Sequence, residues 1–279
     1  MTGRGEARVG MAGWVYPAWR GDFYPKGVTQ KKELAYAASK VTSIEINGSF
    51  YSLQKLPSWA SWRDSTPDDF VFSVKGPKFI THIRRLDDVH EPLANFFASG
   101  VLALGAKLGS ILWQLPPSFD FEPYLLEKFL AQLPHTTTAA VELASQRSER
   151  MTGREYLETD AERPVRHAIE ARHSSFGKPE FVDLLAKYRV AAVYGDSGGK
   201  WPVIDQDTAG FRYLRLHADT ALYPGGFYEP ADIERWATTI EGWLDAGQDA
   251  YVYFDNDTKA RAPIDAMSLI ARLRGFDTP

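Results

Sequence analysis

The chain has 279 residues and no cysteine, which excludes disulfides, thiolate metal sites and a cysteine nucleophile. An apolar share of 44% supports a sizeable core, and no apolar run nears the ~18 residues of a membrane span, so a soluble, cytoplasmic protein without a membrane partner is expected. A net charge of −4 argues against nucleic acid as the partner, since phosphate-backbone binding needs a basic face.

In chain order, short apolar runs bounded by Gly, Pro, Asn and Asp predict strands over 8–13, 41–47, 70–75, 110–115, 166–172, 191–194, 211–217 and 251–254. Helical patterns fall between most of them, over 31–39, 58–64, 88–104, 122–133, 180–188, 230–246 and 263–273. Strand and helix in alternation imply right-handed crossovers and a parallel sheet. Eight strands favour closure into one α/β domain over 1–279, a TIM-like (β/α)8 barrel, with an open doubly wound sheet as the alternative. Two segments break the repeat. Residues 136–151 predict an extra helix before the fifth strand, and GDSGGKWPVIDQDTAG after the sixth is too rich in Gly, Asp and Pro for a full helix.

The strands also share a parity. In 211–217, Leu214 and Leu216 alternate with Tyr213, Arg215 and His217; in 41–47, Ile44 and Ile46 alternate with Ser43, Glu45 and Asn47. Successive side chains point to opposite faces, so the apolar set meets helices and the polar set enters the barrel mouth. The same rule nominates Ser73, Lys75, Gln114, Glu170, Arg172, Tyr194, Asp196, Tyr253 and Asp255. Such groups either neutralise one another in cross-strand Glu–Arg pairs or form a site at the C-terminal mouth.

The loops add aromatic and basic groups. Trp14, Tyr16, Trp19, Phe23 and Tyr24 surround Arg20 after the first strand, and Phe50 and Tyr51 follow the second. These rings read as a lid packed on the rim or as a stacking platform. After the third strand, Lys78, His82, Arg84 and Arg85 lie near Lys75, where an anion could bind. No GxGxxG, GxxxxGK[ST], HExxH or GxSxG motif is present, and GDSGG sits in the wrong setting for a serine-protease nucleophile.

The segments GWVYPAWRGDFYPKG, SIEINGSFYSL, PDDFVFSVKGPKFITHIRRL, ILWQLPPSFDF, HAIEARHSSF, YLRLHA and YVYFDND, taken in order, resemble the YecE-like family, domain of unknown function 72. The resemblance implies a TIM-like barrel and places family motif positions on Glu45, Asn47, Phe50, Tyr51, Lys75, His82, Gln114, Glu170, Arg172, His173, Arg215, His217 and Asn256. It brings no activity with it. The last motif reads FDND where the family tends to show an Asn pair, which argues against a functional Asp255, and 136–162 looks like a subfamily insertion.

The leading expectation is an enzyme with a small anionic or phosphorylated ligand and no cofactor. Glu45, Glu170 and His217 would be its acid–base groups, and Asn47, Tyr51, Lys75, His82, Gln114, Arg172, His173, Arg215 and Asn256 its binding set. A divalent metal on Glu45, Glu170, His217 and Asp196 or Asp255, as in barrel endonucleases and sugar isomerases, is one alternative, opposed by Arg172 and Arg215 on the same face. A non-catalytic ligand or single-stranded nucleic-acid binder using the aromatic loops is another.

Overall fold

The computed structural model describes residues 3–218, 226–256 and 260–275. Its strands are β1 (Ala7–Ala12), β2 (Ser43–Ile46), β3 (Val71–Lys75), β4 (Leu108–Gln114), β5 (Arg166–Glu170), β6 (Ala191–Asp196), β7 (Phe211–Leu216) and β8 (Asp249–Phe254). Each pairs in parallel with the next, and β8 pairs with β1, so the sheet closes into an eight-stranded barrel rather than remaining open. Among the described residues the helices are α1 (Gln30–Ala38), α2 (Gly48–Tyr51), α3 (Leu56–Asp64), α4 (His90–Ala98), α5 (Pro123–Leu130), α6 (Thr137–Ser145), α7 (Pro179–Lys187), α8 (Pro230–Asp245) and α9 (Arg261–Leu273). None is long and apolar enough to cross a membrane.

Local chemistry sets these boundaries. Proline occupies the first turn of α3, α5, α7 and α8, where a missing N–H costs nothing and the fixed φ suits a helix. Glu229 and Asp232 close a capping box on α8, and Thr136 accepts from the Ala139 N–H at the start of α6. Outward-facing Ile44, Ile46, Val74, Trp113, Leu214, Leu216 and Val252 pack beneath the helices. The lower barrel interior is filled by a second apolar cluster including Leu112, Val193, Phe211, Tyr213, Tyr251 and Tyr253. Fully buried charge is thus concentrated at the mouth, while Arg166 pairs with Asp249 at the opposite end.

Three expectations need correction. The helix expected over 88–104 stops at Ala98, because Gly100 adopts φ 107° and a 3-10 segment, Val101–Lys107, follows. A Cβ on Gly100 would lie 2.9 Å from Cδ1 of Trp59, so this break is also a packing point. The insertion helix is shorter than 136–151: α6 ends at Ser145, packs against α4, and a one-turn 3-10 segment Glu149–Met151 completes it. On β6 the parity is reversed. Tyr194 packs outward on Trp236 of α8 with ring centroids 5.3 Å apart, and Asp196 accepts from the Tyr228 hydroxyl, while Val193 faces the barrel interior. The connection between β6 and β7 contains no helix, as its composition predicts.

At the end of β3, a Cβ on Gly76 would lie 2.4 Å from the ring of Trp113, which is fully buried and has no room to move. Gly76→Ala is therefore expected to destabilise the barrel by about 1–3 kcal/mol through overpacking. Thermal denaturation should show a midpoint several degrees lower; an unchanged midpoint would refute the tight packing.

Candidate active site

β7 turns Tyr213, Arg215 and, just past its end, His217 toward the barrel axis. Arg215 is fully buried. Its Nη2 lies 2.9 Å from Glu45 Oε1 and its Nε 3.1 Å from Glu45 Oε2, with Glu45 coming from β2. Its Nη1 lies 3.1 and 3.0 Å from the two oxygens of Glu170 on β5, and Nη2 lies 2.9 Å from Asp255 Oδ2 after β8. The Tyr213 hydroxyl donates to Glu45 Oε2 at 2.7 Å, and Arg172 Nη2 donates to Glu170 Oε2 at 2.9 Å. Ion pairs in a low-dielectric interior offset their desolvation only with this kind of complete hydrogen bonding.

Burial opposes the charge on Arg215, yet Asp255, Glu170 and Glu45 hold its proton more tightly than usual. Burial likewise opposes ionisation of Glu170 and Asp255. Arg215 and Arg172 keep Glu170 well below the usual carboxylate range, and Arg215 with His217 does the same for Asp255. His217 lies between them, Nε2 3.0 Å from Glu170 Oε1 and Nδ1 3.3 Å from Asp255 Oδ2. With an acceptor at each nitrogen, the ring favours the doubly protonated form. Burial pulls its pKa down, but the bonds to Asp255 and Glu170 outweigh burial and raise it.

Beside this network opens a cleft of about 630 Å³. Trp14, Tyr16, Phe50, Tyr51 and Trp62 form its aromatic walls, and Asn47, Lys75, Gln114, Arg172 and Asp255 supply its polar groups. Lys75 Nζ lies 4.5 Å over the Phe50 ring and, among the described residues, has no hydrogen bond or ion pair. Burial, and then the charge of Arg215, lower its pKa. The Arg172 guanidinium stacks 4.0 Å from Trp201, whose ring meets His217 edge-on at 4.9 Å. Among the described residues, Asn47 Oδ1 and Arg172 Nε are buried without a partner.

The expected residues divide accordingly. Glu45, Glu170, Arg215 and His217 meet in the network; Asn47, Tyr51, Lys75, Gln114 and Arg172 line the cleft. Arg215, expected in the binding set, makes its contacts to three carboxylates beneath the cleft and is not among the residues lining it. Both oxygens of Glu45 are held by Arg215 and Tyr213. Asn256 turns away from the mouth: its Nδ2 donates to Asp265 Oδ2 at 2.8 Å and to the Gly226 carbonyl. His173 Nδ1 caps the 3-10 turn Ser174–Phe176 and lies 3.1 Å from Asp120. His82 bonds Thr81 and supports Phe50 edge-on, outside the cleft wall.

Of the aromatic lid, Trp14, Tyr16 and Phe50 line the cleft, but Trp19 and Tyr24 are buried in the core with Phe23. The Tyr24 hydroxyl donates to the Trp14 carbonyl at 2.6 Å and so braces the loop from below. Sequence reasoning missed Trp201, which comes from the irregular connection, and argued against Asp255, which the structure brings into the network as its strand parity had marked.

Because the raised pKa belongs to a base, the stabilisation from His217 is complete below its unfolded value of about 6.5 and disappears as pH rises through the folded value. His217→Gln should therefore lose most stability relative to the parent in mild acid, with a difference that shrinks toward alkaline pH. Urea unfolding across pH 5.5–9 would check this, and a pH-independent difference would sink it. Arg215→Met leaves three carboxylates without their shared cation and should cost roughly 3–5 kcal/mol in the same assay.

The sequence model of the family described as "Protein of unknown function DUF72" matches residues 8–278. The chain is similar to UPF0759 protein YecE of Escherichia coli K12, at 31% identity over 139 residues, covering 48% of this chain and 47% of that protein. It is 30% identical over 122 residues to UPF0759 protein YunF of Bacillus subtilis, covering 40% of each. The chain thus spans less than half the length of these curated relatives. A DUF72 family protein from Thermotoga maritima superposes with a TM-score of 0.76 at 23% identity, over 96% of this chain and 99% of that one. Another from Enterococcus faecalis gives 0.73 at 15% identity, over 98% and 97%. At these identities the solved structures show a shared fold, and the match over residues 8–278 shows that the chain belongs to the DUF72 family.

Proposed function

We propose that the protein is an enzyme that works by acid–base chemistry on a small anionic substrate, a carboxylate or phosphate ester, seated in the mouth cleft. One observation carries this reading. The carboxylates of Glu45, Glu170 and Asp255 are matched by Arg215, Arg172 and protonated His217, so that network is neutral by itself. Lys75 then stands as a surplus, titratable cation on the cleft wall, without an anionic partner among the described residues. An anion from solution completes the balance, with Arg172, Gln114 and Asn47 able to donate hydrogen bonds to it.

Asp255 is the network carboxylate that reaches the cleft, and it contacts His217, which in turn contacts Glu170. These contacts support a proton-transfer path along Asp255–His217–Glu170, with Glu45 holding Arg215 in position. The aromatic walls suit a sugar or other flat-faced moiety carrying the anion, and the volume falls in the range of about 300–1,000 Å³ usual for small-ligand sites. The metal-dependent alternative has less support, because the Arg215 guanidinium fills the position among the three carboxylates that a divalent ion would take.

Calorimetric titration with inorganic phosphate and a panel of phosphate esters and carboxylates is the direct test. Binding should appear in the parent protein and weaken by at least about tenfold in Arg172→Ala, since hydrogen bonds to charged groups contribute about 1.5–3 kcal/mol. No uptake of any anion in the panel would overturn the proposal.

A further inference from the structure

Lys75 is more than a spare charge. It ends β3 on the same inward parity as Ser73, and its amine lines the cleft against the face of Phe50. A lysine kept for structure reaches an acceptor, as the buried Lys107 reaches the carbonyls of Arg63 and Thr66, and Lys75 Nζ reaches none among the described residues. Here Glu45, Glu170 and Asp255 are all occupied by Arg215, and each of them also by Tyr213, Arg172 or His217. The amine is therefore left accessible from the cleft, beside a second fixed cation and an apolar ring. Those surroundings make the ammonium an easier acid, so the surplus cation can release a proton and present a nucleophilic amine.

We infer that Lys75 is a covalent catalyst, forming an imine with the carbonyl carbon of a small oxo-carboxylate or keto-phosphate whose anionic group is held at Arg172. This rests on the anion-binding reading of the same cleft and adds the reactive group of the substrate. The Nζ lone pair attacks the carbonyl carbon, the C=O π pair moves to oxygen, and that oxygen takes a proton to give a carbinolamine. Nitrogen loses a proton, the hydroxyl is protonated and leaves as water, and the C=N bond forms. Amine and carbonyl give imine and water, and nothing is oxidised or reduced. Asp255 lines the cleft and contacts His217, which places a proton acceptor and a donor together at the step that needs both. Protonation of the imine restores the positive charge at Nζ beside Phe50 and turns it into an electron sink for bond breaking at the neighbouring carbon. Burial and the Arg215 charge, which lower the Lys75 pKa, act in the same direction as this geometry.

Reductive trapping tests it on the intact protein. Dihydroxyacetone phosphate and pyruvate serve as carbonyl probes, and glycerol 3-phosphate and lactate as isosteres without a carbonyl, each incubated with sodium cyanoborohydride. Intact mass should show one reduced adduct per chain with a carbonyl probe and none with the isosteres, and peptide mapping should place it on Lys75. Because the site is mapped on the parent protein, the result does not depend on whether a variant folds. Lys75→Arg should abolish the adduct. Adducts scattered over surface lysines, or no adduct, would overturn the imine. If the isosteres bind in that case, the anion cleft stands and only the covalent step falls; if they do not, both readings fall.

Discussion

Placing a guanidinium in the middle of a protein is costly, since the desolvation of a buried ion amounts to several kcal/mol even after relaxation. Arg215 is stable at the barrel axis because five N···O contacts of 2.9–3.1 Å from Glu45, Glu170 and Asp255 replace its hydration. Those partners come from β2, β5 and the end of β8, far apart in sequence, so the contacts exist only when the barrel is closed and in register. The ionic centre therefore depends on the fold, and the fold must accommodate it. Barrel interiors usually stack branched apolar side chains. Here such packing fills only the lower half, and Tyr253, bonded to Ser43 and Ser73, marks the transition to the polar half.

The network also governs how the site behaves. With both ring nitrogens of His217 at carboxylates, a change in its protonation alters the charge balance among four strands rather than one side chain. The loops leaving the strand ends carry backbone strain as well. Arg85, Leu86, Asp88, Ala218 and Ala260 all have positive φ without being glycine, and Ala218 directly follows His217. Strain of this kind persists only where the surroundings hold it, and it is commonly found beside functional groups.

The architecture was legible because the eight apolar runs and their parity are printed directly in the chain. Leu214 and Leu216 against Tyr213, Arg215 and His217 are unambiguous, and the structure places each on the expected face. The rule misled on β6 because the inward position beside Arg215 is Gly195, which has no side chain to mark its face, while Tyr194 and Asp196 find outward partners. It also lost validity past a strand end, where Asn256 and His173 turn to Asp265 and to the Ser174–Phe176 turn. Periodicity says nothing of depth, so Trp19 and Tyr24 in the core looked no different from Trp14 and Tyr16 on the cleft wall. Distances, too, are absent from a sequence: that Arg215 would be saturated and Lys75 left over emerges only when the four strands are brought together.

Trp201 leaves one more mark on this molecule. The chain has eight tryptophans, of which Trp19, Trp59, Trp113 and Trp236 are sealed in the core. Trp201 instead lies between the Arg172 guanidinium and the His217 ring, two groups whose charge can influence an indole's emission. With Trp14 and Trp62 on the cleft wall as well, the protein thus carries native optical probes at its cleft, over a background from the four buried indoles, and needs no attached dye to report what happens there.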